Sequence, residues 1–317
     1  MFLDYYRFRE NPFSMLPDPN FLYLGQKHSL ALAMLQYALM NNALVTVLTG
    51  DIGAGKTTLI RQLLNQIGQD VNVGLLSNTH SEFGDLMQWV NLAFGLPYEN
   101  KSKVALYDIF IGFLIDRYAK GQRTVLIIDE AQNLDLKALE EFRLLSNINA
   151  DKNQVLQLIL VGQPELYRKL RRPELEQFIQ RVSVSYHLKP LGPEETDKYV
   201  SHRLSTAGGD PELFKTEAKR LIHRQSGGIP RVINILCETA LVYGFADRRT
   251  TIDYDLVLEV IQDKIKGGLM QGSNKGTTQE EEGESNSGIN TLVSPIDRND
   301  IVIPGVFANA REKSSSS

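Results

Sequence analysis

A glycine-rich octapeptide after the first apolar run constrains the fold of this chain more than any other feature. Residues 50–57 read GDIGAGKT and fit the pattern G-x-x-x-x-G-K-[ST]. Glycines let such a loop curl until its backbone N–H groups point at phosphate oxygens, and the helix that follows adds its positive end. An apolar run precedes the octapeptide and an amphipathic pattern follows it, which is the context that a phosphate-binding loop requires.

The side chains of this loop predict a nucleoside triphosphate and Mg²⁺ as ligands. Lys56 supplies a positive charge for the β- and γ-phosphates and is expected to serve in catalysis, and the Thr57 hydroxyl can ligate the metal ion. Nine residues are expected to bind the nucleotide: Gly50, Asp51, Ile52, Gly53, Ala54, Gly55, Lys56, Thr57 and Thr58.

Two adjacent carboxylates, Asp129 and Glu130, follow the apolar run TVLII of residues 124–128. Because side chains alternate along a strand, these two carboxylates point in different directions. Asp129 is expected to hold Mg²⁺ through its water shell, whereas Glu130 faces the attacking water as a general base. The alternative is a strand that simply ends in solvated charge.

Two polar residues follow other apolar runs. Gln163 comes after the run at residues 155–161, where its side chain could reach the γ-phosphate or the attacking water. The alternative is an ordinary loop glutamine. Asn78 follows the run at residues 71–77, and it could hold Glu130 in an inactive pose.

Two arginines are candidates for contact with the γ-phosphate. Arg181 precedes the last apolar run, far from its own nucleotide, and could stabilise transition-state charge in a neighbouring subunit. Arg171 and Arg172 compete with it for that role. Arg231 begins a helix of the C-terminal part and could bind the phosphate of its own subunit. The alternative for each is a solvated surface arginine.

Short apolar runs alternate with helical patterns up to residue 190. Runs of four to eight residues rich in Val, Ile and Leu indicate strands buried on both faces. The predicted strands are 44–49, 71–77, 124–129, 155–161 and 182–188. The predicted helices are 57–67, 82–94, 105–119, 136–148 and 165–178. The alternation predicts an α/β fold, in which helices cover both faces of a parallel sheet.

The strand patterns stop near Pro190, and a run of helical patterns follows. These predicted helices are 193–207, 211–225, 230–244 and 253–265. We expect an α/β nucleotide-binding domain at residues 1–190 and a helical lid domain at residues 191–265.

Residues 266–317 are rich in Ser, Gly, Asn and Thr, and such a segment cannot bury enough apolar surface to offset its ordering entropy. We therefore expect a disordered polar tail. Its apolar stretch at residues 301–307 is either a chance cluster or a peptide that adds a strand to a sheet edge.

Composition excludes several classes of protein. The 317 residues carry 34 Lys and Arg against 38 Asp and Glu, and this balance of −4 does not by itself select a partner. A single cysteine, Cys237, excludes a disulfide scaffold or a cysteine-built zinc site and fits a reducing compartment. Because neither a signal peptide nor a membrane-spanning segment is apparent, we expect a cytoplasmic protein.

Taken together, these motifs resemble those of AAA+ ATPases, and the N-terminal residues narrow the resemblance to the ExeA/GspA family of bacterial secretion-associated ATPases. The similar segments are MFLDYY at 1–6, NPFS at 11–14, PDP at 17–19, FLYL at 21–24, IIDEAQNL at 127–134, LVGQPEL at 160–166 and GGIPR at 227–231. Near relatives include ATPases tied to type IV pili and exopolysaccharide export, and the TniB/TnsC/MuB transposition ATPases.

The resemblance implies a strand order of 5-1-4-3-2 and an ATP molecule clasped between sheet and helical lid. It implies a ring or filament of identical subunits in which Arg181 acts on the neighbour's nucleotide, and it puts residues 13–23 near the adenine. Founding members of the family continue into a transmembrane helix and a peptidoglycan-binding domain. We expect neither in this chain, and therefore expect it to act through a protein partner, in the cytoplasm or at the inner-membrane surface.

These expectations favour a Mg²⁺-dependent ATPase that serves a cell-envelope machine. The alternative is an ATP-dependent, DNA-binding transposition regulator, for which the basic runs at residues 168–172 and 219–224 would contact phosphates. Neither run is interleaved with aromatic residues, and the pI of about 5.8 disfavours this alternative. A third possibility is a switch that binds ATP and scarcely hydrolyses it, although such a switch has little need for Glu130.

Overall fold

The computed structural model of the chain describes residues 1–16, 18–68, 70–77, 85–150 and 153–267. Asn78, nearly all of the predicted tail and its apolar stretch at residues 301–307 lie outside these ranges. Among the described residues, no helix combines the length and the apolar character needed to cross a membrane.

A five-stranded parallel sheet forms the centre of the molecule. Its strands are β1 (Val45–Gly50), β2 (Val71–Leu76), β3 (Arg123–Ile128), β4 (Gln157–Gly162) and β5 (Val182–Leu188). They lie in the order β2-β3-β4-β1-β5, which read from the other edge is the predicted order 5-1-4-3-2. The α/β fold class is therefore confirmed. Residues 149–150 and 153–154 pair as a separate short antiparallel ladder.

Helices cover both faces of the sheet. A short helix, α1 (Phe2–Tyr5), opens the chain. The helices beside the sheet are α2 (Gln26–Met40), α3 (Lys56–Gln66), α4 (Leu86–Ala93), α5 (Lys103–Ala119), α6 (Leu136–Leu145), α7 (Pro164–Leu170) and α8 (Glu176–Ile179). The single helix predicted over residues 165–178 is wrong. Arg172 is extended and Pro173 begins a short 3-10 turn there, because proline disfavours helical geometry in the residue before it.

Alternation of side chains along the strands builds two apolar layers. On β3, Leu126 and Ile128 contact the layer from α4 to α8, whereas Val125 and Ile127 contact the layer from α2 and α3. The prediction that all five strands are buried on both faces is wrong for the two edge strands, since Leu75 of β2 is exposed and β5 is exposed at alternate residues. Ser183 and other alternate residues of that strand are exposed, and β5 lies at an edge of the sheet.

Four further helices of the described chain enclose a second apolar core, which we call the helical core. They are α9 (Pro193–Thr206), α10 (Thr216–Ser226), α11 (Pro230–Ala246) and α12 (Tyr254–Lys266). Tyr6, Phe8, Phe13 and Phe21 also belong to this core, so the N-terminal segment packs on the helices rather than on the sheet. The domain boundary at residue 190 stays a prediction.

Candidate nucleotide-binding and active site

The glycine-rich loop joins β1 to α3 and curls around the side chain of its own lysine. Gly53 and Gly55 have φ values of 80° and 98°, in the left-handed region that glycine adopts without strain. The Lys56 ammonium donates hydrogen bonds to the carbonyl oxygens of Gly50, at 2.7 Å, and Asp51, at 2.9 Å. Burial lowers the pKa of Lys56, although the carboxylates of Glu130 and Asp129 oppose this shift. The loop thus presents a buried cation and backbone N–H groups at the carboxyl edge of the sheet.

The predicted metal ligands contact each other. The Thr57 hydroxyl donates a hydrogen bond to Asp129 Oδ2 at 2.9 Å, although the two residues are 72 positions apart in the chain. β1 and β3 bring them together on either side of β4, at the edge where parallel strands end. Hydroxyl and carboxylate oxygens are ligands that Mg²⁺ prefers, and this ion usually takes only one or two from protein. The pair therefore fits a Mg²⁺ ion shared with phosphate oxygens.

Glu130 has a left-handed backbone, with φ 52° and ψ 35°. Its N–H donates to Asp129 Oδ1 at 2.9 Å, which helps to hold this turn. The Glu130 carboxylate lines the same cavity as Lys56 and Thr57. Gln163 also lines the cavity, and its side-chain amide lies 3.5 Å from Glu130 Oε2. The structure thus brings Glu130, the predicted base, and Gln163 together.

The cavity has a volume of about 320 Å³. Its lining includes nine of the residues singled out from the sequence: Ile52, Gly53, Gly55, Lys56, Thr57, Thr58, Glu130, Gln163 and Arg231. Asp129 lies beside the cavity through its contact with Thr57. Gly50, Asp51 and Ala54 contribute to the loop without lining the cavity.

The N-terminal segment forms one wall of this cavity. Its lining residues are Ser14, Met15, Leu16, Asp18, Phe21, Leu22 and Tyr23. Phe13 was expected beside them, but it is fully buried against Phe214 of the helical core, with the ring centroids 5.9 Å apart. The wall therefore begins at Ser14, and Phe13 anchors it from behind.

Arg203 of α9 fastens this wall to the helical core. Its buried guanidinium donates hydrogen bonds to the carbonyl oxygens of Pro12 and Ser14, at 2.5 and 3.1 Å. It also donates to the Tyr199 hydroxyl at 3.4 Å and stacks over the Phe21 ring. Nothing in the sequence near Arg203 singled it out, because all of these contacts except the one to Tyr199 join residues far apart in the chain.

The helical core meets the loop at the start of α11. The backbone N–H of Arg231 donates to the carbonyl oxygen of Gly53 at 3.3 Å. A Cβ at Gly53 would lie 2.5 Å from the Cβ of Arg231, so only glycine permits this approach. Arg231 therefore lines the cavity directly beside the loop.

The first turn of α2, which the sequence analysis missed, touches both the loop and the helical core. His28 is buried, and its Nε2 lies 3.0 Å from the carbonyl oxygen of Ala54. Burial lowers the pKa of His28. Because a carbonyl oxygen can only accept, Nε2 is the nitrogen that carries a proton in this contact. The neighbouring Lys27 donates to the Pro190 carbonyl and lies 3.4 Å from the Glu195 carboxylate.

Arg181 lies apart from the cavity. Its guanidinium donates to Ser146 Oγ at 3.2 Å, beyond the end of α6. Arg181 precedes β5, at the amino edge of the sheet, whereas the loop lies at the carboxyl edge. The structure thus does not bring Arg181 to the nucleotide site of its own chain.

The sheet order and the glycine-rich loop define a P-loop nucleoside triphosphatase fold of the AAA+ class. A sequence model of the AAA domain matches residues 39–170 of the chain.

Curated relatives agree with the resemblance that the sequence motifs indicated. The chain is 40% identical over 247 residues to general secretion pathway protein A of Aeromonas hydrophila, a match that covers 78% of this chain and 45% of that protein. It is 30% identical over 139 residues to the Mu-like prophage FluMu DNA transposition protein B of Haemophilus influenzae, covering 43% and 44% of the two chains. The matches thus span less than half of each relative.

Solved structures share the fold. The ORC2 protein of Aeropyrum pernix superimposes with a TM-score of 0.60 at 16% identity, over 80% of this chain and 71% of that one. Cdc6p from Pyrobaculum aerophilum gives a TM-score of 0.59 at 14% identity, over 78% and 71%. A Walker-type ATPase of Pyrococcus abyssi gives 0.56 at 17% identity, over 81% and 78%.

Proposed function

We propose that this protein is a Mg²⁺-dependent ATPase that hydrolyses ATP at the interfaces between its own subunits. Hydrolysis would drive or regulate the assembly of a cell-envelope machine for secretion, type IV pili or exopolysaccharide export. The observation that carries the ATPase proposal is the hydrogen bond from Thr57 to Asp129, in a cavity that Lys56 and Glu130 also line. The similarity to general secretion pathway protein A supports the envelope role.

Each part of the cavity has a role in this proposal. Backbone N–H groups of the loop and the Lys56 ammonium bind the β- and γ-phosphates. Thr57 and Asp129 hold Mg²⁺, which supplies positive charge against the phosphate oxygens. Glu130 accepts the proton of the attacking water, and Gln163 orients that water or the γ-phosphate.

The N-terminal wall and the helical lid complete the proposed site. Residues of the N-terminal wall from Ser14 to Tyr23 enclose the adenine, and Arg231 contacts the γ-phosphate. Because the N-terminal wall and Arg231 both belong to the helical core, loss of the γ-phosphate would change the angle between lid and sheet. We propose that this movement acts on a partner protein on the cytoplasmic side of the inner membrane.

Steady-state phosphate release tests the ATPase proposal. Lys56→Ala is expected to abolish nucleotide binding, and Glu130→Gln to keep ATP binding while lowering kcat by about 10²-fold or more. Lys137→Ala, an exposed lysine on α6, serves as the control and is expected to match the wild type. Hydrolysis at the wild-type rate by folded Lys56→Ala protein would overturn the proposal.

DNA binding is the second candidate function, and the similarity to DNA transposition protein B favours it. The structure offers it little support, because two lysines of the basic runs are engaged internally. Lys169 donates to the carbonyl oxygens of Gln132 and Leu134, and Lys219 is buried beside Asp197. A gel-shift titration with and without ATP separates the two functions, since ATP-dependent retention that weakens with salt would favour DNA binding.

A further inference from the structure

We propose that Gln132 is a positioning residue that sets the Glu130 carboxylate and links it to the loop after β4. This inference rests on the proposed ATPase function, in which Glu130 is the general base. Gln132 lies in the 3-10 turn Ala131–Asn133 that follows β3, two residues beyond Glu130. The sequence analysis assigned it no role.

The Gln132 side chain bridges two of the predicted catalytic residues. Its Nε2 lies 2.6 Å from Glu130 Oε2, and its Oε1 lies 3.0 Å from the backbone nitrogen of Gln163. A backbone N–H can only donate, so the atom facing Gln163 must be the amide oxygen. The amide nitrogen must then face Glu130 and donate to it. The orientation of the Gln132 amide therefore follows from the chemistry of its two partners.

The bridge is built into the surrounding structure. Gly162, the last residue of β4, lies so close that a Cβ there would be 2.8 Å from Gln132 Oε1. On the other side, the Lys169 ammonium donates to the Gln132 carbonyl oxygen at 2.6 Å. Because both the side chain and the backbone of Gln132 are held, the amide offers Glu130 a fixed donor.

The backbone of Glu130 is left-handed, a conformation that is unfavourable for a residue with a Cβ. A fixed donor to its side chain therefore matters for holding Glu130 in place. The contact from Gln132 occupies Oε2 and fixes the direction of the carboxylate. The carboxylate directed in this way accepts the proton of the attacking water. Because Gln132 also accepts a hydrogen bond from Gln163, any shift of the loop after β4 on nucleotide binding moves Glu130 as well.

Kinetics of the full chain test this role. Gln132→Glu keeps the shape of the side chain but removes the donor and adds a like charge, and Gln132→Ala removes the bridge. Both are expected to lower kcat by about 10-fold or more, since a hydrogen bond to a charged group is lost. The KM for ATP and the Kd for a fluorescent ATP analogue are expected to stay within about twofold of the wild type, because Gln132 lies outside the nucleotide cradle. Asn133→Ala, the exposed amide next in the same turn, is the matched control.

A double-mutant cycle distinguishes positioning from general structural support. In the Glu130→Gln background, Gln132→Ala is expected to cost little further activity, because its effect passes through Glu130. An equal fold loss in both backgrounds, or a raised KM with unchanged kcat, would overturn the inference.

If Gln132→Ala does not fold by circular dichroism, Gln132→Glu replaces it in the cycle. If Glu130→Gln itself hydrolyses ATP normally, the assignment of the base fails as well. If only the Gln132 variants do so, the ATPase proposal stands and this inference alone falls.

Discussion

At the scale of single residues, His28 makes the stability of the protein depend on pH. Burial lowers the pKa of His28, and also those of His202 and His223, from the ordinary value of 6.5. As the pH falls below that value, the unfolded chain binds protons that the folded histidines do not yet bind. The free energy of unfolding is therefore expected to decrease between pH 7 and about pH 5.

Urea unfolding of the wild type and of His28→Gln at several pH values measures this effect. Glutamine can still donate to the Ala54 carbonyl but does not titrate, so the decrease is expected to be smaller in the variant. Lys27 and Glu195, the charged neighbours of His28, oppose each other and are present in both proteins. Identical pH profiles for the two proteins would show that His28 does not contribute.

Residues that belong to a local motif could be found from the sequence, whereas residues that contact the motif from distant parts of the chain could not. Lys56 and Thr57 belong to one octapeptide, and Asp129 and Glu130 end an apolar run, so local patterns identified all four. Arg203 contacts residues about 190 positions away, and such contacts leave no local pattern. Among the missed residues, Gln132 was the one with a usable signal, because it lies two positions after the predicted base.

At the scale of elements, the attachment of the N-terminal segment to α9 is expected to control affinity for ATP. Arg203→Lys removes the stacked plane and at least one of the three hydrogen bonds, so the wall from Ser14 to Tyr23 loosens. We expect the KM for ATP to rise about tenfold, which corresponds to ~1.4 kcal/mol, with a smaller effect on kcat.

Steady-state kinetics and thermal melting together check this prediction. Arg220→Lys, an exposed arginine on α10, is the matched control and should leave the KM unchanged. An Arg203→Lys protein that folds and keeps the wild-type KM would show that the wall does not need this anchor.

The strands could be predicted from the sequence more reliably than the helices. Strands of a parallel sheet are short apolar runs, and all five were found to within two residues at either end. Helix α2 was missed because Ala, Leu and Met occur all around it, so a helical period does not stand out. The break between α7 and α8 was missed although Pro173 marks it.

At the scale of the whole molecule, the sequence could not tell which core the N-terminal segment joins. Its aromatic residues Phe8, Phe13 and Phe21 are apolar enough for either core, and the resemblance suggested only that the segment lies near the adenine. In the structure these rings pack on α9 to α12, which makes the wall of the cavity an extension of the helical core. Tertiary packing between distant parts of the chain decided this placement.

The position of Arg181 leads to a prediction about assembly. A strand of seven residues spans roughly 20 Å, so an arginine before β5 cannot reach the loop at the opposite edge of its own sheet. In a closed ring or filament, however, it can face the neighbour's site. Arg181→Ala and Glu130→Gln subunits should each be nearly inactive alone. A 1:1 mixture should recover activity at about one interface in four, where an intact Glu130 meets an intact Arg181.

Phosphate release by such mixtures tests the exchange of residues between subunits. Mixing Arg181→Ala with a chain that carries both substitutions is the control and should recover nothing, because no interface is then complete. Arg171→Ala and Arg172→Ala, tested in the same way, show whether a nearby arginine serves instead. If no mixture exceeds its separate components, the site does not use an arginine from a neighbour, and hydrolysis must be completed within one chain.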